Sequence, residues 1–373
     1  SMLNAIRDLD TTRSFDIMSS RTILKSTYPW TKSPLLASAP MLNIAGPQLA
    51  VSVSSAGGLG FLAAGFDVSS LDHNLEVTAR LMKQSGGMAQ QVYEETGMLP
   101  IGVGFINWGA DLKVSLAAIQ KYMPCAVWLF GPRDQPDDLV PWVKEVRGVT
   151  SGRTKIWVQV GAVDEAIVVA EVLQPDALVV QGSDAGGHGL AHSASVLTLI
   201  PEVQDALRER DLTHIAIIAA GGIVDGRGLA AALALGAVGA TMGTRFLASA
   251  EANIAHGYQK EILRASDGGL NTIRSTVYDR VRGIGGWPNR YDGRGIINQT
   301  YLDAVQQGMS DEENKSLYEE ELKKGDAGWG PKGRLTTYAG TGVGLVREIL
   351  PASRIVEDTL CEAGDAIRGI PLD

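Results

Sequence analysis

From residue 35 onward the chain alternates between two textures. Short, continuous apolar runs end in Gly, Pro or Asn, and each is followed by a longer stretch with the three-to-four-residue apolar spacing of a helix. The runs fall at 35–40, 58–64, 101–106, 126–130, 156–160, 177–180, 215–219 and 237–242. The helical stretches fall at 47–56, 70–84, 111–122, 138–149, 163–173, 193–208, 226–235 and 252–264, and Asp111 and Asp225 stand where N-caps are expected. Runs that are apolar throughout, rather than alternating, predict strands buried on both faces and therefore a parallel sheet. Eight strand–helix units of nearly equal length predict an α/β fold, a closed (β/α)8 barrel. A doubly wound open sheet is the rival, and it would need to explain eight equal units with no visible reversal of strand order.

Beyond residue 266 the pattern changes. Gly, Arg and Asn dominate 283–298, which also holds Trp287 and Tyr291. A charged helical stretch follows at 311–324, Gly340, Gly342 and Gly344 punctuate a turn, and 346–366 returns to helix. The expected division is an N-terminal extension at 1–29, the barrel at 30–266, and a helical and loop-rich C-terminal addition at 267–373. The addition shows no core of its own and is expected to pack on the barrel mouth.

Composition sharpens this in one respect. There are 44 glycines among 373 residues, against a usual share of about 7%. No Gly-X-Y period accompanies them, so they imply many tight turns or backbone that approaches a ligand closely. A net charge of −9 with no Lys/Arg run argues against a nucleic-acid partner. Cys125 and Cys361 are far apart and in no CxxC pair, which excludes a disulfide framework and suits a reducing compartment. Two uncharged stretches, 33–66 and 228–244, are broken by prolines or glycines and read as buried core rather than membrane spans. Asp8, Asp10 and Asp16, with no apolar core after them, argue against secretion. Arg7, Arg13 and Arg21 give a faint transit-peptide pattern, so the expected location is cytoplasmic, with mitochondria as the alternative.

In a barrel the chemistry lies at the C-terminal ends of the strands. The seventh run leads into Ala219-Ala220-Gly221-Gly222, the eighth into Met242-Gly243-Thr244. A phosphate needs bare backbone N–H groups near a helix start. Gly221, Gly222 and Gly243 supply them, and Thr244 adds a hydroxyl. Each Gly site alone reads equally as a turn, and their occurrence at both usual phosphate loops points to phosphate. The sixth run leads into Gln181-Gly182-Ser183-Asp184-Ala185-Gly186-Gly187-His188-Gly189. A histidine flanked by glycines on the active face suits a general base near neutral pH, although a loop histidine bonded to backbone is the plainer reading. His192 is the rival base, and Asp184 reads as an orienting acid. No HxH or HExxH spacing suggests a metal. Asn107, Gln159 and Gln181 at strand ends could meet the N and O edge of a heterocycle, or form a hydrogen-bond network of their own. The backbone at Pro40-Met41 could touch the same ring. Phosphate site, amides and base together suggest a phosphorylated heterocyclic cofactor, and flavin mononucleotide (FMN) fits.

Several of these stretches also carry a resemblance. They are Ala39-Pro40-Met41, LAVSVSSAGGLG at 49–60, GVGFIN at 102–107, QGSDAGGHG at 181–189, AAGGIVDGR at 219–227, GTRF at 243–246 and YAGTGVGLV at 338–346. Through them the sequence resembles the nitronate monooxygenases, from about residue 30 to 265. The resemblance implies a TIM barrel that binds FMN without a covalent link. It implies oxidation of alkyl nitronates by O2 to a carbonyl compound and nitrite, with neutral nitroalkanes accepted by some members through a histidine base. Carried onto this chain, the base corresponds to His188 and the phosphate contacts to Gly221, Gly222, Gly243 and Thr244. The ring contacts correspond to Met41, Asn107, Gln159, Gln181 and Gly186, with Pro40, Gly187 and Met242 beside them. The expected partners are a small nitronate or nitroalkane and O2. FMN-dependent enoyl-acyl carrier protein reductases share this frame and a similar histidine, so an NAD(P)H-dependent enoyl or quinone reductase is the alternative. A catalytically silent FMN- or phosphate-binding protein is the third reading.

Overall fold

The computed structural model describes residues 23–372. The expectations for residues 1–22, including the acidic start and the transit-like arginines, lie outside the described residues.

Eight strands form the parallel ring that the apolar runs predict. They are β1 (Leu35–Ser38), β2 (Phe61–Gly65), β3 (Leu99–Ile106), β4 (Pro124–Phe130), β5 (Lys155–Val160), β6 (Ala177–Gln181), β8 (Ala216–Ala220) and β9 (Gly239–Met242). Their order is β1-β9-β8-β6-β5-β4-β3-β2. The seam between β1 and β2 is bridged just ahead of β2, where Leu59 donates to Leu36 and Ser38 donates to Leu59. The open-sheet alternative is thereby excluded. β1, β8 and β9 are buried at every position, the physical reason their sequences do not alternate.

The barrel interior is filled by aromatic rings. Phe61 contacts Trp128 and Trp157 at centroid distances of 5.2 and 5.1 Å. Tyr28, from the segment before β1, accepts a 2.9 Å hydrogen bond from the Trp157 indole. Glycines on β3 make room for this filling. A Cβ on Gly102 would lie 2.2 Å from the Phe61 ring, and one on Gly104 would lie 2.3 Å from Pro40.

The structure departs from the sequence expectation in three places. First, an additional helix, Gly87–Thr96, precedes β3. It buries only Ala89 and Val92 and so leaves a faint apolar pattern. Second, the eighth helix of the outer ring is not 252–264. Ala352–Arg368 packs between the helices Gly226–Ala234 and Pro47–Ser55, presenting Ile355, Val356, Thr359 and Ala363 as one buried stripe. The contact is close: a Cβ on Gly226 would lie 2.3 Å from the Ala363 nitrogen. His256–Arg264 instead packs on two short turns of the addition, Gly325–Gly328 and Thr341–Leu345. Third, a small antiparallel sheet joins β7 (Gly187–Leu190), β10 (Thr272–Ser275) and β11 (Tyr291–Ile296), in the order β10-β11-β7. The glycine-rich stretch after β6 is thus partly a strand, paired with the C-terminal addition.

Val224, Leu247 and Ala248 of the barrel loops share an apolar cluster with Ile296, Ala339, Val343 and Val346 of the addition. A smaller cluster of Val277, Val281, Tyr318 and Leu335 lies within the addition itself. Among the described residues no helix is long and apolar enough to cross a membrane.

Candidate active site

The C-terminal ends of the barrel strands and the small sheet line a cavity of about 700 Å3. Eleven sequence-predicted residues share its wall: Pro40, Met41, Gln159, Gln181, Gly186, Gly187, His188, Gly221, Gly222, Gly243 and Thr244. Asn107 and Met242 lie behind that wall. The Asn107 side-chain oxygen accepts from the Phe130 N–H at 2.8 Å, and its buried amide nitrogen has no partner among the described residues. Met242 is fully buried, and its carbonyl accepts from Ala39 at 3.0 Å. His192, the rival base, is exposed and is not part of the wall.

The backbone after β8 and β9 is bare. Gly221 and Gly222 have φ of +102° and +75°, a region that side chains disfavour. Gly243 differs, because a Cβ there would meet only Ala39 and Met41, at 3.6 and 3.9 Å. Among the described residues no turn, loop or cap hydrogen bond takes the N–H groups of Gly221, Gly222, Gly243 or Thr244. The Thr244 hydroxyl accepts from the Gly340 N–H at 2.9 Å, which leaves its proton to donate. On β9, Thr241 also lines the cavity, and its buried hydroxyl has no partner among the described residues.

The amides are held as well. Gln159 accepts from the Trp128 indole at 2.9 Å, and Gln181 donates to the His188 carbonyl at 3.2 Å. The loop between β6 and β7 is clamped by the addition. Arg294 donates to the Ser183 carbonyl at 2.9 Å, and Arg274 donates to the Ala185 carbonyl at 3.2 Å while pairing with Asp292. Asp184 accepts from the Thr341 hydroxyl at 2.6 Å, an anchoring contact that suits an orienting acid.

His188 sits in the middle of this frame, on β7 opposite Gly293. Its Nε2 lies 2.6 Å from Oδ2 of Asp279. The imidazole stacks on the Trp287 indole, with centroids 4.1 Å apart and planes 3° from parallel. Tyr338 meets its edge and donates to Oδ1 of Asp279 at 3.2 Å. Burial, followed by the neighbouring Asp279 charge, pushes the Tyr338 hydroxyl well above its ordinary pKa, so it remains a donor. Trp287 and Tyr338 both line the cavity, whereas Tyr291 packs behind, against Phe130 and Trp287.

Sequence reasoning missed Thr241 and, with more consequence for the base, Asp279. Asp279 lies in the short helix Val277–Arg282, where Val277, Tyr278, Asp279 and Val281 are buried. A carboxylate beside three apolar residues is a faint sequence signal of burial, and the partner on β7 is visible only after folding.

The family model for nitronate monooxygenase matches residues 114–362. A nitronate monooxygenase of Metarhizium robertsii is 48% identical over 342 residues, covering 91% of this chain and 94% of the relative. A nitronate monooxygenase of Neurospora crassa is 36% identical over 364 residues, covering 94% of each. Among solved structures, nitroalkane oxidase from Streptomyces ansochromogenes superposes with a TM-score of 0.68 at 23% identity, covering 93% of this chain and 99% of that one. FabK from Thermotoga maritima gives 0.67 at 23% identity, covering 92% and 96%. These last two likenesses establish a shared fold.

Proposed function

Because the chain belongs to the nitronate monooxygenase family, a family of oxidoreductases, we propose that it binds FMN and oxidises alkyl nitronates, and neutral nitroalkanes through His188, with O2 to a carbonyl compound and nitrite. The observation that carries this reading is that one cavity is lined both by the His188 imidazole and by the side-chain-free backbone after β8 and β9.

The residues present fit a phosphorylated flavin. The untaken N–H groups at Gly221, Gly222, Gly243 and Thr244, with the Thr244 hydroxyl, would hold the phosphate. The unpartnered Thr241 hydroxyl supplies one further polar atom on that wall. Gln159, Gln181, Gly186 and the backbone at Pro40-Met41 would meet the ring, with Gly187 leaving open space beside it. Asn107 and Met242 would act from behind, by fixing the β4 end and the Ala39 turn. When bound, FMN supplies the electron transfer and the reaction with O2. The chain's own part is to orient the substrate against the aromatic wall and to manage one proton. A neutral nitroalkane must lose its α-proton, and His188 would take it. A nitronate has already lost that proton, and for it His188 would only position the anion.

The test is direct. The purified protein is expected to carry a flavin spectrum and to release nitrite from propyl nitronate with matching O2 uptake. Anaerobic bleaching of the flavin by NAD(P)H, with no nitrite from any nitronate, would establish the reductase alternative instead. A flavin-bearing protein inactive in both assays would be a silent binder.

A further inference from the structure

We infer that Asp279 is a positioning residue for His188: it takes the Nε2–H of the neutral imidazole and leaves Nδ1, with its lone pair, as the nitrogen available to substrate. This deepens the reading above and rests on it.

The geometry carries the assignment. A neutral imidazole has one N–H and one lone pair, and a carboxylate can only accept. With Nε2 at 2.6 Å from Oδ2 of Asp279, the neutral ring places its proton on Nε2 and its lone pair on Nδ1. Among the described residues Nδ1 has no hydrogen-bond partner, while the His188 side chain, 13% exposed, lines the cavity. The carboxylate is itself fixed, since Oδ1 accepts from Tyr338 at 3.2 Å. Trp287 sets the plane of the ring by stacking on it.

The step that follows is a proton transfer. The Nδ1 lone pair takes the α-proton of a neutral nitroalkane, the C–H bond breaks and its electron pair becomes the C=N bond of the nitronate, while the N=O π pair moves onto the nitro oxygen as the negative charge. The ring becomes imidazolium, paired with ionised Asp279. The other charged groups on the surrounding elements are Arg280, paired with Asp311, and Arg282 on the same short helix, Arg274 with Asp292, Arg294, Asp184, Arg290 beside Tyr291, and Lys315 and Glu319 on the cavity wall. None of them hydrogen-bonds the imidazole. Among the described residues Asp279 is therefore the charged group in direct contact with the ring.

The experiment uses the flavin-loaded enzyme and its Asp279→Asn variant. Loss of the carboxylate is expected to lower kcat/KM for nitroethane by about 10²–10⁴-fold, with a far smaller change for the nitronate. Asp279→Glu should restore much of the rate. Independently of turnover, 15N NMR of histidine-labelled protein should find His188 protonated at Nε2 in the wild type, and should find that preference weakened in Asp279→Asn. A wild-type Nδ1–H tautomer would overturn the inference. So would an Asp279→Asn enzyme whose nitroethane-to-nitronate rate ratio and tautomer are unchanged, including one that loses both activities equally. If Asp279→Asn fails to fold, the wild-type tautomer and the nitroethane-to-nitronate rate ratio of Asp279→Glu decide the matter. If the wild type turns over neither substrate, the functional reading fails, and the NMR still reports whether Asp279 sets the tautomer.

Discussion

Gly186→Ala and Gly243→Ala separate packing from ligand contact within one cavity. A Cβ at Gly186 would lie 2.4 Å from both the Ala339 carbonyl carbon and the Gly340 nitrogen. Ordinary contact lies near about 3.5 Å, so the Ala339–Gly340 peptide must retreat by about 1 Å. That peptide donates to Thr244 at 2.9 Å, and a shift of this size breaks the bond. Overpacking of this kind costs about 1–3 kcal/mol, and a lost hydrogen bond adds about 0.5–1.5 kcal/mol. The apo variant should therefore be less stable by about 1.5–4.5 kcal/mol in urea denaturation. Gly243 is the contrast. Its φ is −105° and its Cβ would meet nothing closer than 3.6 Å, so the apo protein should be unchanged or up to about 1 kcal/mol more stable. If the bare backbone there cradles a phosphate, the same methyl group should still weaken FMN binding, by about tenfold for each 1.4 kcal/mol lost. Both quantities come from denaturation of the apo proteins and flavin titration by fluorescence. A Gly186→Ala protein as stable as the wild type would refute the steric argument. A Gly243→Ala protein that binds FMN with wild-type affinity would refute the cradle.

Three further outcomes follow from the same geometry. His188→Asn should reduce nitroethane turnover by about 10²–10⁴-fold while retaining flavin and a larger share of nitronate turnover, measured as nitrite release from each substrate. Trp157→Phe leaves the buried Tyr28 hydroxyl without its 2.9 Å partner and opens space in the barrel, so it should cost about 2–4 kcal/mol. Adding Tyr28→Phe should recover part of that loss in a urea double-mutant cycle. Asp225 caps the helix Gly226–Ala234 by accepting from the N–H groups of Arg227 and Gly228, and Asp225→Ala should cost about 0.5–2 kcal/mol. Burial pushes the Asp225 carboxyl up, but Arg227 and the backbone donors outweigh it and hold the group below its ordinary pKa of 3.8. Its contribution is therefore complete above that value and is lost as pH falls through the lowered one. The stability gap between variant and wild type should close over that acid range.

The eight barrel strands were legible in the sequence because burial on both faces demands unbroken apolar runs, and that demand is local. β8, Ala216–Ala220, can be read this way without any partner. The glycines after β8 were legible for a similar reason, since a strand-to-helix turn that needs positive φ leaves a compositional mark at Gly221 and Gly222. The cavity-lining positions of Gln159, Gln181 and His188 followed from the rule that barrel chemistry lies at strand ends.

What folding alone decided are the pairings across long sequence distance. β7 and β11 contain GHGL and YDGRGI, which are glycine-rich and have little strand propensity. They are strands because each completes the other's backbone hydrogen bonds. The eighth ring helix could not be assigned locally, since 252–264 and 352–368 both have helical spacing. The longer buried stripe of 352–368 occupies the groove between the helices Gly226–Ala234 and Pro47–Ser55. Asp279 is 91 residues from His188 in the chain. Nothing in the residues around either one specifies their meeting. Periodicity and turn chemistry are properties of neighbours along the backbone and are written in the sequence. The contact between His188 and Asp279 is a property of neighbours in space, and the tertiary structure sets it.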